Sequence, residues 1–265
     1  MRQFKSLACW CLVLMCWTGS SVKIMAAQPA DLFIGLDDAT EDSTFLPPPR
    51  ENIRPLLKVR QLIERQQWRE AVAILGELVT ENQSEDFLIR DADGAATSLR
   101  LRTRQILGSI PDEHRESFRV RYTAVAQRLL DQAIESRDQQ QLRTVASRYF
   151  YTLPGYEAAM MIGHLELADG QPYSAASWLS RVVNTPEARQ IHDPEASVLL
   201  AMAAMLANDR PRCRQTLITL KDRQPDEFLT IGGREMPLYR RGEDPLDWLQ
   251  QVMGSASLLP KRMAD

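Results

Sequence analysis

The chain has 265 residues and four cysteines, long enough to bury a core without disulfide staples. Its formal net charge of −3, from 32 basic and 35 acidic residues, becomes more negative once the basic start of the chain is set aside and argues against nucleic acid as the main partner. Cys9, Cys11 and Cys16 sit together near the start and leave Cys213 alone in the body, which excludes an intrachain disulfide there.

Arg2 and Lys5 precede an apolar run from Leu7 to Trp17, and small residues recur at Ala26 and Ala27. This layout predicts a secretory signal over residues 1–27 and an exported protein of the periplasm or cell envelope. The run is shorter than the roughly 20 residues a membrane span needs, so no stable insertion is expected after cleavage. The leader takes Arg2, Lys5 and Lys23 and no acid with it, so 32 basic residues become 29 against 35 acidic ones. Residues 28–52 follow as an acidic, proline-rich linker: Asp31, Asp37, Asp38, Glu41 and Asp42 precede Pro47-Pro48-Pro49, which favours an extended spacer. Within it, Phe33-Ile34-Gly35-Leu36 reads as disordered linker, with a short docking segment as the other reading.

Residues 53–227 are expected to form a helical-repeat domain. Leu56, Val59 and Ile63 recur at helical spacing, and after Gln66-Gln67 a second run carries Trp68, Ala71, Leu75 and Leu78. Thr97 to Leu107 predicts a short helix, and Pro111 with Asp112 and Glu113 predicts the start of a longer one. Phe118, Tyr122, Val125, Leu129 and Ala133 would line its buried face, with Leu142, Val145, Ala146 and Phe150 on the next helix. Gly155 to Pro186 has the pattern of one tetratricopeptide helix pair: Gly163 in the first helix, Gly170 at the turn, Ala175, Leu179 and Val182 on the second, Pro186 as the stop. Pro172, Ala175, Leu179 and Val182 repeat the spacing of Trp68, Ala71, Leu75 and Leu78. A third copy starts at Pro194, with Leu199, Ala203 and Leu206 on one helix and Cys213, Leu217 and Leu220 on its return. Residues 228–253 predict a two-stranded ribbon turning at Gly232-Gly233 and a capping helix opened by Asp244-Pro245, burying Leu246, Trp248, Leu249 and Val252. Residues 254–265 read as a tail.

The fold expected is therefore all-α: a right-handed tetratricopeptide-like α-solenoid of four or five antiparallel helix pairs, with a small β-hairpin and a capping helix near the C-terminus. Arg148-Tyr149-Phe150-Tyr151-Thr152, Gly155-Tyr156-Glu157-Ala158-Ala159, Gly170-Gln171-Pro172, Ala175-Ala176 and Gly232-Gly233-Arg234-Glu235 carry a family resemblance. On these residues, Trp68 to Leu238 resembles the helical segment that precedes the pyrroloquinoline-quinone-type β-propeller in large exported bacterial proteins of the outer-membrane assembly propeller type. The resemblance implies a helical front end that docks a propeller in the cell envelope. No repeated strand and tryptophan pattern follows Trp248, so quinone binding does not carry over.

Candidate chemistry is sparse. Asp91-Ala92-Asp93-Gly94 suggests a calcium loop, but Ile89 and Arg100 fall where such a loop needs acids, and a polar turn is expected. His114, His164 and His192 have no metal-ligand spacing, and no cofactor is expected. A Cys/His hydrolase would need Cys213 as nucleophile and His192 as base; Cys213 takes the helix-crossing position of Ala71 and Ala175, where a buried thiol ionises poorly. Arg100, Arg102, Arg104, Arg115, Arg119 and Arg121 are expected on a solvated face, paired with acids. Met160, Met161, Met202 and Met205 suit either a groove for apolar peptides or core packing. The function expected is a non-catalytic scaffold holding a protein or peptide partner, a β-propeller domain among the possible ones. Glu157, Met160 and His164 of one repeat, with Val198 and Met202 of the next, are its candidate groove.

Overall fold

The computed structural model describes residues 31–33, 50–80, 87–90, 96–224, 228–231, 234–240 and 242–255. Among them the chain is mostly helical. The elements in order are α1 (Arg50–Glu64), α2 (Trp68–Thr80), β1 (Leu88–Arg90), β2 (Ala96–Ser98), α3 (Leu99–Ser109), α4 (Glu116–Ser136), α5 (Gln139–Arg148), α6 (Leu153–Ala168), α7 (Pro172–Asn184), α8 (Pro186–His192), α9 (Glu195–Leu206), α10 (Arg210–Arg223), β3 (Phe228–Ile231), β4 (Arg234–Pro237) and α11 (Pro245–Ser255), with 3-10 turns at Asp31–Phe33 and Asp112–His114. The expected leader, Asp91-Ala92-Asp93-Gly94, Gly232-Gly233 and the end of the tail lie outside the described residues.

Helices pack mainly on their neighbours along the chain: α1 on α2, α4 on α5, α5 on α6, α6 on α7, α7 on α9, α9 on α10 and α10 on α11. Alternate helices also meet, α4 with α6 and α6 with α9. The close crossings follow from small side chains. A Cβ on Gly163 would lie 2.7 Å from Leu179 Cδ2, so only glycine lets α6 approach α7 here. Ala175, Leu179 and Val182 of α7 are fully buried, as are Cys213, Leu217 and Leu220 of α10. The turn between α6 and α7 passes through Gly170 at φ +70, and the equivalent turn between α9 and α10 uses Asn208 at φ +60.

Two apolar cores result. The rear core runs from Leu130 and the α5 residues through α6, α7, α9 and α10 to Trp248, Leu249 and Val252. The front core gathers Leu56, Val59, Ala71, Leu75, Ile106, Leu107, Ile110 and Phe118. Tyr151 packs against both.

Several boundaries differ from expectation, each for a local reason. Within the expected linker, Asp31–Phe33 forms a 3-10 turn against α1 and α3, while residues 28–30 and 34–49 lie outside the described residues. Phe33 is 2% exposed within the front core, so one aromatic ring docks what composition assigned to a spacer. Helix α1 begins at Arg50, before the expected 53. A ribbon absent from the sequence reading pairs Leu88 with Ser98 and Arg90 with Ala96. Asp112–His114 is a 3-10 turn and α4 starts only at Glu116. On α4 the fully covered residues are Phe118, Ala126, Leu130 and Ala133, while Tyr122, Val125 and Leu129 are half-buried. The helix changes core along its length: Phe118 joins the front core, and Leu130 and Ala133 join the rear one. Pro186 does not end the second helix pair; it opens α8, which Pro suits as a first helical residue lacking an N–H. Leu206, expected on a buried stripe, is 52% exposed at the last residue of α9.

The C-terminal unit matches the pattern read from its residues. Strands β3 and β4 pair antiparallel with Leu229 opposite Met236. Asp244 Oδ1 accepts the Leu246 N–H at 2.9 Å, and Leu246, Trp248, Leu249 and Val252 are buried. Tyr239 donates its hydroxyl to the Leu217 carbonyl at 3.3 Å, and Arg214 meets Asp244 at 2.8 Å, tying this unit to α10.

Candidate functional site

The surface carried by α6, α8 and α9 is the first place to look, because the predicted groove residues fall there. Helix α6 starts on Thr152, whose hydroxyl accepts the Gly155 N–H at 3.2 Å and donates to the Tyr149 carbonyl at 2.7 Å. From that fixed start Glu157 and His164 stand half-buried on one stripe. Met160, Val198 and Met202 do not join them: they are 5%, 6% and 7% exposed and belong to the rear core. This corrects the groove assignment. Apolar residues of a repeat are drawn inward wherever a neighbouring helix is available, and the methionine left half-buried on α6 is Met161. Met161 and Leu165 line a cleft of about 250 Å³ with Ala133, Ile134 and Leu142, where the turn between α4 and α5 meets α6. Ile134 is 48% exposed there.

The polar part of this face is richer than the sequence reading anticipated. His164 Nε2 lies 3.1 Å from Glu195 Oε1, which joins α6 to the first turn of α9. That bond holds the Glu195 carboxyl below its ordinary range. His192, at the end of α8, has a buried Nε2 with no protein partner among the described residues. Burial lowers its pKa, against the opposing pull of Glu157, Glu195 and Asp193. Asp193 is itself committed: one oxygen accepts the Ser197 N–H at 3.2 Å and hydroxyl at 2.7 Å, the other the Arg223 guanidinium at 2.8 Å. Glu195 and Asp193 were not singled out in the sequence. The signal available was their position: acids flanking Pro194 at a helix start.

Cys213 and His192 occupy different surroundings. Cys213 is fully buried in the crossing of α9 and α10, where burial pushes its thiol up to about 11 and the nearest charges are Arg214 and Asp209. The charges acting on His192 are the three acids just named. The thiol is thus held in its protonated, poorly nucleophilic form. Among the described residues no group of three or more histidines, cysteines or acids is arranged to hold a metal ion. No described helix is long and apolar enough to cross a membrane.

The arginines divide: Arg119 and Arg121 pair with acids as expected, whereas Arg102 and Arg115 leave the solvated face, Arg115 for a seam between the two cores. Arg102 and Arg115 are buried. Arg102 donates to the Leu32 carbonyl at 3.0 Å, fastening the turn that carries Phe33. Arg115 donates to the Gly108 carbonyl at 3.0 Å and to Glu187 at 3.1 Å, and lies over the Tyr151 ring at 4.8 Å. Arg119 bonds Asp112 and Glu116, and Arg121 pairs with Glu77. The Arg119 bond and the Arg115 charge outweigh burial and leave the Asp112 carboxyl below its ordinary range. Tyr151 fits only because residue 108 is glycine; a Cβ there would lie 2.1 Å from its hydroxyl oxygen. Tyr156 is buried beside this cluster, and burial raises its hydroxyl pKa. The turn between α5 and α6, which carries Tyr151, is thus where front and rear meet.

A second cleft, of about 420 Å³, opens between the starts of α2 and α4. Trp68 and His114 stack at 5.1 Å on its wall, and Val120 is 75% exposed beside them. Comparison with protein-family models, with curated proteins and with solved structures finds no match for this chain.

Proposed function

We propose that the chain is an exported, non-catalytic scaffold of the tetratricopeptide-like kind, holding a protein or peptide partner on the surface formed by α4, α6 and α9. One observation carries this reading: the alternate helices α4, α6 and α9 touch in succession, so side chains of helices far apart in the chain come onto a shared face. That face offers an apolar cleft with Ile134, Met161 and Leu165 beside the polar group of Glu157, His164 and Glu195. Flexible thioether and aliphatic side chains next to fixed hydrogen-bonding groups are what a peptide-binding groove requires: contact area from the first, register from the second. The assignment to the periplasm or cell envelope rests on the N-terminal charge and apolar pattern of residues 1–27.

Site-specific photocrosslinking in intact cells tests the reading. A crosslinker at Met161 is expected to trap a defined protein that one at Gln215, exposed on α10, does not trap. Equal labelling from both positions, or none from Met161, would remove the groove from consideration.

A further inference from the structure

Arg181, in the last turn of α7, is held differently from the arginines of the seam. Its guanidinium carbon stands 4.1 Å from the centre of the Phe150 ring and 5.2 Å from that of Trp178. Burial pushes its pKa down to about 10; Tyr151 acts against that shift and the neighbouring charge of Arg104 adds to it. Arg115, Arg119, Arg143 and Arg223 each meet a carboxylate, on Glu187, on Asp112 and Glu116, on Glu166 and on Asp193. Arg181 meets none among the described residues, and its side chain makes no further interaction beyond those ring contacts and charges.

We propose that Arg181 anchors a binding site for the carboxylate of an acidic peptide segment, with the half-buried Trp178 ring receiving an apolar residue that flanks it. A guanidinium laid across two rings has already lost most of its rotamer freedom, so its N–H fork is oriented before a ligand arrives. A cation drawn out of water without a counter-ion is costly to the folded chain, and an incoming anion relieves that cost. The planar fork matches a carboxylate with two parallel N–H···O bonds. A single fork backed by the buried Phe150 ring and flanked by Trp178 suits a singly charged group better than a phosphate dianion, which needs donors on more sides. The site is on α7 and does not depend on the groove of α4, α6 and α9, so crosslinking at Met161 and the test below can fail separately.

The test is a titration of the full chain, following the Arg181 Nε–H resonance and Trp178 fluorescence. The probes are a terminally blocked Leu-Asp-Leu peptide, its Leu-Asn-Leu counterpart and inorganic phosphate. The Asp peptide is expected to move the Arg181 resonance saturably, with affinity on the order of millimolar for one charge-assisted fork and a small apolar contact. The Asn peptide should bind at least about ten-fold more weakly, and R181Q should lose a comparable factor toward the Asp peptide. R181K, which keeps the charge and loses the fork, should fall between and serves alone if R181Q does not fold. A brace that acts only by stacking predicts no saturable shift, and that result overturns the proposal. So does equal affinity of R181K for the two peptides, or phosphate binding as tightly as the Asp peptide.

Discussion

The rear of the molecule, from α5 to α11, and the front, from the Phe33 turn to the first half of α4, reach burial by different routes. In the rear each helix packs on its predecessor, and glycine, alanine and cysteine at the crossings set the spacing. In the front, burial depends on residues distant in the chain: Phe33 lies against helices that begin at Arg50 and Leu99, and Phe118 completes a core made mostly by α1 to α3. Local contacts cost little chain entropy to form, whereas distant ones need a specific clamp. Here the clamp is polar, made by Arg115, Glu187, Tyr151 and the glycine at 108.

The largest effect should come from cutting that clamp. Arg115→Ala leaves Glu187 half-buried without its cation and is expected to cost about 3 kcal/mol or more. Urea unfolding followed at Trp68 in the front and Trp248 in the rear should then show two separated transitions. A single coincident transition in the variant would mean that the cores are coupled through the shared length of α4 instead.

An intermediate effect is expected where the rear spacing is set. Gly163→Val places a branched side chain against Leu179 and should destabilise by about 1–3 kcal/mol, with the loss confined to the Trp248 transition. If Trp68 reports the same loss, the rear does not unfold as a separate unit.

The smallest effect concerns acid. His192 titrates below its ordinary value of 6.5 in the folded chain, so the unfolded chain binds the extra proton first as pH falls. The stability that comes from keeping this imidazole neutral is complete above 6.5 and is lost as pH falls through the lower folded value. Glu195, also depressed, acts in the same direction at lower pH: its contribution is present above the unfolded carboxylate value and lost below it. His192→Gln should therefore flatten the stability profile just below pH 6.5 while leaving the loss at lower pH in place. An unchanged slope below 6.5 would assign the acid sensitivity to other groups.

How much of the fold was legible depended on which route a region used. Ala175, Leu179 and Val182 fell where the repeated spacing predicted, as did Cys213, Leu217 and Leu220, because each partner lies a few residues beyond one turn. The ribbon of Leu229 and Met236 and the Asp244 cap were equally readable, being local chemistry. The docking of Phe33, the β1–β2 ribbon and the sharing of α4 between two cores were not, since each answers to a surface assembled elsewhere. The candidate groove divides the same way. Glu157 and His164 stay half-buried at the surface, whereas Met160, Val198 and Met202 were claimed by the core.

The amino-acid order alone determined that helices form, where most turns fall and which small residues sit at the crossings, because helix periodicity, capping and proline chemistry act within a few residues. Only the tertiary structure decided which side chains are lost to burial and which charges pair. Arg115 with Glu187, His164 with Glu195 and Arg181 over Phe150 unite residues 72, 31 and 31 positions apart. No local preference encodes such pairs; they exist because packing the apolar faces leaves each polar group one set of neighbours.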